Sequence, residues 1–202
     1  MLLPALNKAR QKAHTISCVS QLKQMGTFTA MYLDDFGTMM LCYKSACGHF
    51  DCMTNFTGCG VKHIGPGLLV VAGYIASPNP KDWKTNAISG DRRPKMFNCP
   101  SNPREDWTNF SNNADKQDYV YRRDNSTNAG DNNIAMFPNL GQMTRQVTFY
   151  CIGIKRDMNS AAPSHGDSGT YAKFDGSAGS FIQTPVRNAD TVAARMKMLD
   201  DL

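Results

Sequence analysis

Apolar residues in the first 36 positions recur at steps of three and four. Leu22, Met25, Thr29, Tyr32 and Phe36 lie on one face, and Leu6, Ala9, Ala13 and Ile16 carry it upstream. This period predicts one amphipathic helix from Leu2 to about Phe36. Pro4 falls in the first turn, where its missing N–H costs nothing, and Gly37 stands where a left-handed terminating glycine belongs. A helix of that length runs about 50 Å at ~1.5 Å per residue, longer than a domain of this size needs. Leu22, Met25, Tyr32 and Phe36 are expected to be buried. Leu2, Leu3 and Leu6 are expected to stay exposed on a projecting end, as an interaction surface.

Downstream the periodicity is shorter. A second helix is predicted around Pro66 to Ile75, followed by a proline-rich loop ending at Cys99-Pro100-Ser101. Residues 101–133 are rich in Asn, Asp and Ser, which bond their own backbone and favour turns. Tyr119-Val120-Tyr121 is a short strand within them, and Gln146–Ile154, β-branched and aromatic, is the best strand in the chain. Residues 170–174 and 177–182 flank Asp175-Gly176, which predicts a two-residue type I′ hairpin. Residues 190–202 read as a helix with Val192, Met196 and Leu199 on one face. A long helix, a loop-rich middle and an antiparallel sheet make an α+β fold, with residues 1–36 as a helical spine and 37–202 as a globular head.

Composition narrows the class. At 202 residues with 41% hydrophobic content the chain can bury a core, and it is neither collagen-like nor globally disordered. No apolar run reaches the ~18 residues a membrane helix requires. The net charge of +5 is concentrated at Lys8, Arg10, Lys12 and Lys23 and at Arg92-Arg93-Pro94-Lys95. Aromatic residues do not interleave with these charges as a stacking platform requires, so no nucleic-acid partner is expected.

Seven cysteines are many for this length. Cys42, Cys47, Cys52 and Cys59 crowd a glycine-rich stretch whose spacing is not that of zinc knuckles. Two local disulfides are expected there, with three connectivities open; zinc held with His49 or His63, and plain thiols, are the alternatives. Disulfides imply an oxidising compartment. Enzymatic chemistry would have to use His165, Asp167 and Asp175 with Ser164 or Ser168. No nucleophile elbow or phosphate loop surrounds them, and no enzyme activity is expected. Asp167 and Asp175 supply hard oxygen donors of the kind calcium takes; no other cofactor is expected. Trp83, Trp107, Tyr119 and Tyr121, beside Asn-rich loops, support an alternative reading as an adhesion or carbohydrate-contact module.

Three separated elements carry a family resemblance. Met1-Leu2-Leu3-Pro4-Ala5-Leu6-Asn7-Lys8-Ala9-Arg10, continued by Cys18-Val19-Ser20-Gln21-Leu22-Lys23-Gln24-Met25-Gly26 and Met31-Tyr32-Leu33-Asp34-Asp35, resembles prepilin-type proteins. Phe97-Asn98-Cys99-Pro100-Ser101 resembles a Phe-x-Cys-Pro-Ser element, and His165 followed after nine residues by Asp175-Gly176 matches the H-X9-DG signature of a pseudopilin-like group. The resemblance implies a pilin-like fold, processing by prepilin peptidase and a non-enzymatic subunit of a cell-surface filament or type II secretion pseudopilus. Its partners would be other pilin-like subunits through the N-terminal helix and the inner membrane through a preceding apolar segment. Residue 1 aligns with the far end of that segment, so the sequence is expected to be a truncated form or one with a misplaced start. Because Cys18 and Cys99 both lie in family-like elements, the resemblance also suggests a disulfide between them, leaving Cys151 as an odd buried thiol. His165 is expected to bond nearby backbone or a neighbouring loop in preference to Asp175.

Overall fold

The structure, a computed structural model, describes residues 2–37, 66–76, 94–101, 119–121, 147–151, 165, 167–188 and 197–202. Helix α1 spans Leu2–Phe36 without a break, and α2 spans Gly67–Val71. A 3₁₀ turn follows at Lys95–Phe97. Strands β1 (Val120–Tyr121), β2 (Val147–Cys151), β3 (Ser168–Lys173) and β4 (Ala178–Ile182) form one antiparallel sheet in sequence order, and α3 covers Gln183–Asn188. The fold is α+β: α1 packs across β2, β3 and β4. No helix among the described residues is long and apolar enough to cross a membrane.

The buried stripe of α1 is Cys18, Leu22, Met25, Thr29 and Leu33. It keeps the helical period but is rotated from the expected face near the C-terminal end: Leu33 is buried, Tyr32 half-buried and Phe36 55% exposed. Phe36 stacks on Tyr32 at 4.5 Å, and Tyr32 meets Tyr74 edge-on at 6.3 Å. The aromatic residues at this end therefore pack on one another beside α2. Ile16 is 71% exposed, so the apolar face predicted upstream of Cys18 does not reach the core. Thr29 fits the buried stripe because its hydroxyl donates to the Met25 carbonyl at 2.8 Å within the same helix. Gly37 ends the helix at φ 65°, its N–H donating to Leu33 O.

Residues alternate faces along a strand, and this fixes which side chains meet α1. Thr170 and Ala172 of β3, with their cross-strand partners Cys151 and Phe149 of β2, are buried on the helix side. Gly26 of α1 is buried opposite this row; a Cβ there would sit 3.9 Å from Ala172 Cβ and 3.7 Å from Lys173 O. The opposite face pairs glycine with aromatic residues: Gly169 lies across from Phe181, and Tyr171 across from Gly179. Phe181, Val186 and Leu199 are buried outside the main core cluster, and Lys173 Nζ donates to Asp200 O at 3.3 Å.

The β3–β4 hairpin differs from the expected two-residue turn. Ala172 pairs with Ala178, Lys173 N–H donates to Ser177 O, and Gly176 N–H donates to Lys173 O. The loop is therefore Phe174-Asp175-Gly176, three residues long, with Gly176 at φ 83° as the left-handed position. Asp175 completes it by accepting the Ser177 N–H at 2.8 Å, and this bonding by Ser177 holds its carboxyl below the usual range. Of the helix expected over 190–202, residues 197–200 are helical and 190–196 lie outside the described residues.

Two glycine substitutions test this packing in opposite directions. A Cβ at Gly169 would stand 2.3 Å from Phe181 Cζ, so Gly169→Ala must displace the ring and should destabilise by about 1–3 kcal/mol. At Gly26 the added methyl meets only ordinary contacts, and Gly26→Ala should stabilise by about 0.5–1 kcal/mol through helix propensity. Urea denaturation midpoints of the two variants check both signs.

Candidate functional site

Four chemically active side chains from four distant segments meet between α1 and the sheet. Cys18 comes from α1, Cys99 from the loop after the 3₁₀ turn, Cys151 from the end of β2, and His165 from the chain entering β3. Their three sulfurs and one imidazole nitrogen all lie within 4.8 Å of one another. All four residues are buried, with 0%, 3%, 1% and 4% of their surface exposed in that order.

Local structure explains each placement. Cys18 opens the buried stripe of α1. Cys151 shares the face of β2 occupied by Phe149, two residues earlier, and pairs with Thr170 in the ladder. The 3₁₀ turn, starting after Pro94, drives Phe97 into the core, and Cys99 follows two residues later. His165 forms an isolated antiparallel bridge with Ser168, so the chain reverses tightly just before β3 and turns the imidazole inward. Its Nε2 is 3.1 Å from Cys99 Sγ, and its Nδ1 is 2.7 Å from Ser101 Oγ. Cys18 Sγ and Thr170 Oγ1, both buried, are 2.9 Å apart.

The sulfurs do not share protons evenly. Cys99 is held far below the usual thiol range, because Cys151 and Cys18 hydrogen-bond to it against the cost of burial, with His165 adding to the effect. Cys151 is pushed well above that range by its bonds to Cys18 and Cys99 and by complete burial. At Cys18 the bond with Cys151 pulls downward, but the bond with Cys99 and burial outweigh it, and the thiol rises to about 12. The site stabilises negative charge on one sulfur, with the other two as donors. Tyr119, fully buried beside it, is pushed strongly upward by desolvation and then by the nearby cysteines. Its hydroxyl donates to Gln21 Oε1 at 2.6 Å, and Asn98 O stands 3.2 Å away.

This geometry revises several sequence expectations. Cys18 and Cys99 do come together, but as thiols and not as a disulfide; Cys151 is a buried thiol, as expected, and the third cysteine of their cluster. Cys42, Cys47, Cys52 and Cys59, with His49 and His63, lie outside the described residues. His165 meets its expectation: it bonds a neighbouring loop, at Cys99 and Ser101, in preference to Asp175. Asp167 and Asp175 flank opposite ends of β3, about 20 Å apart by strand rise, and do not share a site. Asp167 instead accepts from the backbone N–H of Thr184 at 3.2 Å and from its hydroxyl, which anchors the start of α3. Tyr119 is buried and bonded inside the core, so it cannot serve a glycan-stacking surface; Trp83, Trp107 and the side chain of Tyr121 lie outside the described residues.

Sequence reasoning missed Cys151, Ser101 and Thr170 as members of this site. Cys99 and His165 are 66 residues apart, and no local spacing signals their meeting. The available signal was that Cys18, Cys99 and His165 each sit inside one of the three family-like elements. Comparison with protein-family models, curated proteins and solved structures yields no match.

The protonation pattern makes the metal-free chain sensitive to alkali. A thiol whose folded value is raised from 9.0 to about 12 contributes stability that is complete below the lower value and is lost as pH climbs to the higher. Denaturation midpoints of the metal-free protein should fall progressively across that interval. Cys18→Ala, although less stable overall, should show a shallower decline; an equal slope in both proteins would contradict the assignment.

Proposed function

We propose that this chain is a non-enzymatic, pilin-like or pseudopilin-like subunit of a cell-surface or secretion-system filament, membrane-anchored in its full-length form. The observation that carries this reading is the division of α1 into two halves with different surroundings. From Cys18 to Leu33 one stripe is buried on the antiparallel sheet, whereas residues 3–13 are exposed throughout. A helix gains little from its own propensity, so an exposed extension of about 16 Å is poorly supported by the head alone. The extension displays Leu3 at 75% exposure and Leu6 at 65%, with Ile16 at 71% nearer the head. The side chain of Leu2 lies outside the described residues.

A second copy of the same helix is the natural cover for such an extension. Helical association buries leucines at roughly 1.5–3 kcal/mol each, and repetition of one head-plus-spine unit yields a filament. Lys8, Arg10 and Lys12 on the same segment are exposed, which keeps its remaining surface solvated. The three family-like elements support the reading independently of the exposed leucines. Two of them, Cys99–Ser101 and His165, are in direct contact with each other through side chains.

Two measurements test this. In-frame translation of the DNA upstream of codon 1 should give an apolar run of about 20 residues, behind a prepilin-type cleavage site; its absence would remove the membrane anchor and the filament with it. Replacing Leu6 with Asp should leave the unfolding free energy of the head within about 0.5 kcal/mol of the parent, because the site is exposed. The same variant should abolish recovery of the protein in sheared surface filaments. Undiminished filament yield would count against α1 as the assembly surface.

A further inference from the structure

We propose that Cys18, Cys99, Cys151 and His165 form a closed four-ligand site for a zinc ion that fastens the helical spine to the head. The inference goes beyond the filament reading and does not depend on it.

The donor set is the first argument. Three sulfurs and one imidazole nitrogen are a borderline-soft set that suits zinc and excludes calcium or magnesium, which take oxygen. Geometry is the second. With Zn–S near 2.3 Å and Zn–N near 2.0 Å, a tetrahedron has edges of about 3.5–3.8 Å between ligand atoms. The four atoms already lie within 4.8 Å of one another, and the 3.1 Å separation of Cys99 Sγ and His165 Nε2 needs only a few tenths of an ångström to open. Burial of all four ligands leaves no side open for substrate, which is the character of a structural site and not a catalytic one.

The groups behind the ligands are the third argument. A zinc-bound histidine usually donates its second ring N–H to a partner that fixes the ring. Here Nε2 faces the sulfurs and Nδ1 faces Ser101 Oγ at 2.7 Å, so Nδ1–H would donate to that oxygen. Thr170 Oγ1 stands 2.9 Å from Cys18 Sγ, placed to donate to a thiolate. A disulfide explains less: it would join two of the three cysteines and leave the third sulfur and an oriented, buried imidazole without a task.

Zinc binding replaces thiol protons by metal–sulfur bonds and releases them to solvent, with no change of oxidation state. The ligands come from α1, the loop after the 3₁₀ turn, β2 and the entry to β3. The ion would therefore tie the spine to three segments of the head.

The test uses the full chain, reduced, stripped with chelator and titrated with zinc chloride alone. One equivalent should bind, the melting temperature should rise with zinc, and cobalt in place of zinc should give the visible absorption of a tetrahedral thiolate site. Cys151→Ser and His165→Ala should lose stoichiometric uptake, and Ser101→Ala should weaken it by about 10- to 100-fold. Replacing Cys42, Cys47, Cys52 and Cys59 together by Ser should leave one equivalent bound. The cobalt spectrum of the unsubstituted chain reports on the site even if a ligand variant fails to fold. The proposal is overturned if the reduced chain takes up no zinc, or if uptake persists unchanged without Cys151 or His165. It is equally overturned if uptake vanishes when Cys42, Cys47, Cys52 and Cys59 are replaced, or if Cys18, Cys99 or Cys151 is found in a disulfide in protein from its own cell.

Discussion

The close seating of α1 on the helix-facing row of β2 and β3 is the constraint on which the rest of the structure depends. Gly26 faces Ala172 where the helix crosses the sheet, and Leu22, Met25 and Phe149 are buried in the same core. At roughly 1.5–3 kcal/mol for each large side chain removed from water, this contact outweighs any local preference of the short strands. It also decides what lies at its N-terminal end. Once Leu22 and Met25 are seated, the preceding residue of the stripe is Cys18, and it faces Thr170 and Cys151 directly across the gap.

That end of the interface is unusual because it is polar and buried at once. Thiols, an imidazole and hydroxyls are enclosed with little solvent access, and unpaired polar groups in such surroundings cost about 1–3 kcal/mol each. The arrangement tolerates them by reciprocal bonding: Cys18 with Thr170, His165 with Cys99 and Ser101, Tyr119 with Gln21 and Asn98. Asn98 Oδ1 is the exception, a buried acceptor without a hydrogen-bond partner among the described residues. A zinc ion among the sulfurs would convert a network of weak thiol bonds into four metal–ligand bonds, without asking any element to move far.

On the proposed reading, the two halves of α1 divide the labour between stability and assembly. The buried half supplies the core and one ligand of the cluster. The projecting half contributes nothing to the head, so its leucines can serve a partner without compromise to folding. A zinc-fastened spine would suit a subunit held by its helix, because force applied to the helix reaches the sheet through metal–ligand bonds as well as through side-chain packing.

The sequence by itself determined the local elements. The three-to-four spacing from Leu22 to Phe36 specified α1, with Gly37 as its stop; β-branched and aromatic residues specified β2, and the Asp175-Gly176 turn signal placed β3 and β4 on either side of it. The sequence also set Cys18, Cys99 and His165 inside the three family-like elements. Tertiary structure alone decided the face and the partners. The burial of Leu33 in place of Tyr32 and Phe36, a rotation of the stripe by one position, depended on the sheet and on Tyr74, which no helical period contains. The three-residue hairpin loop depended on the Ala172–Ala178 register, whereas Asp175-Gly176 alone is compatible with either turn. The meeting of Cys151 with Cys18, Cys99 and His165 was invisible for the same reason. Ligand spacing along a chain reports a site only when its ligands share a local turn. Here four elements each supply one, and only their packing brings them together.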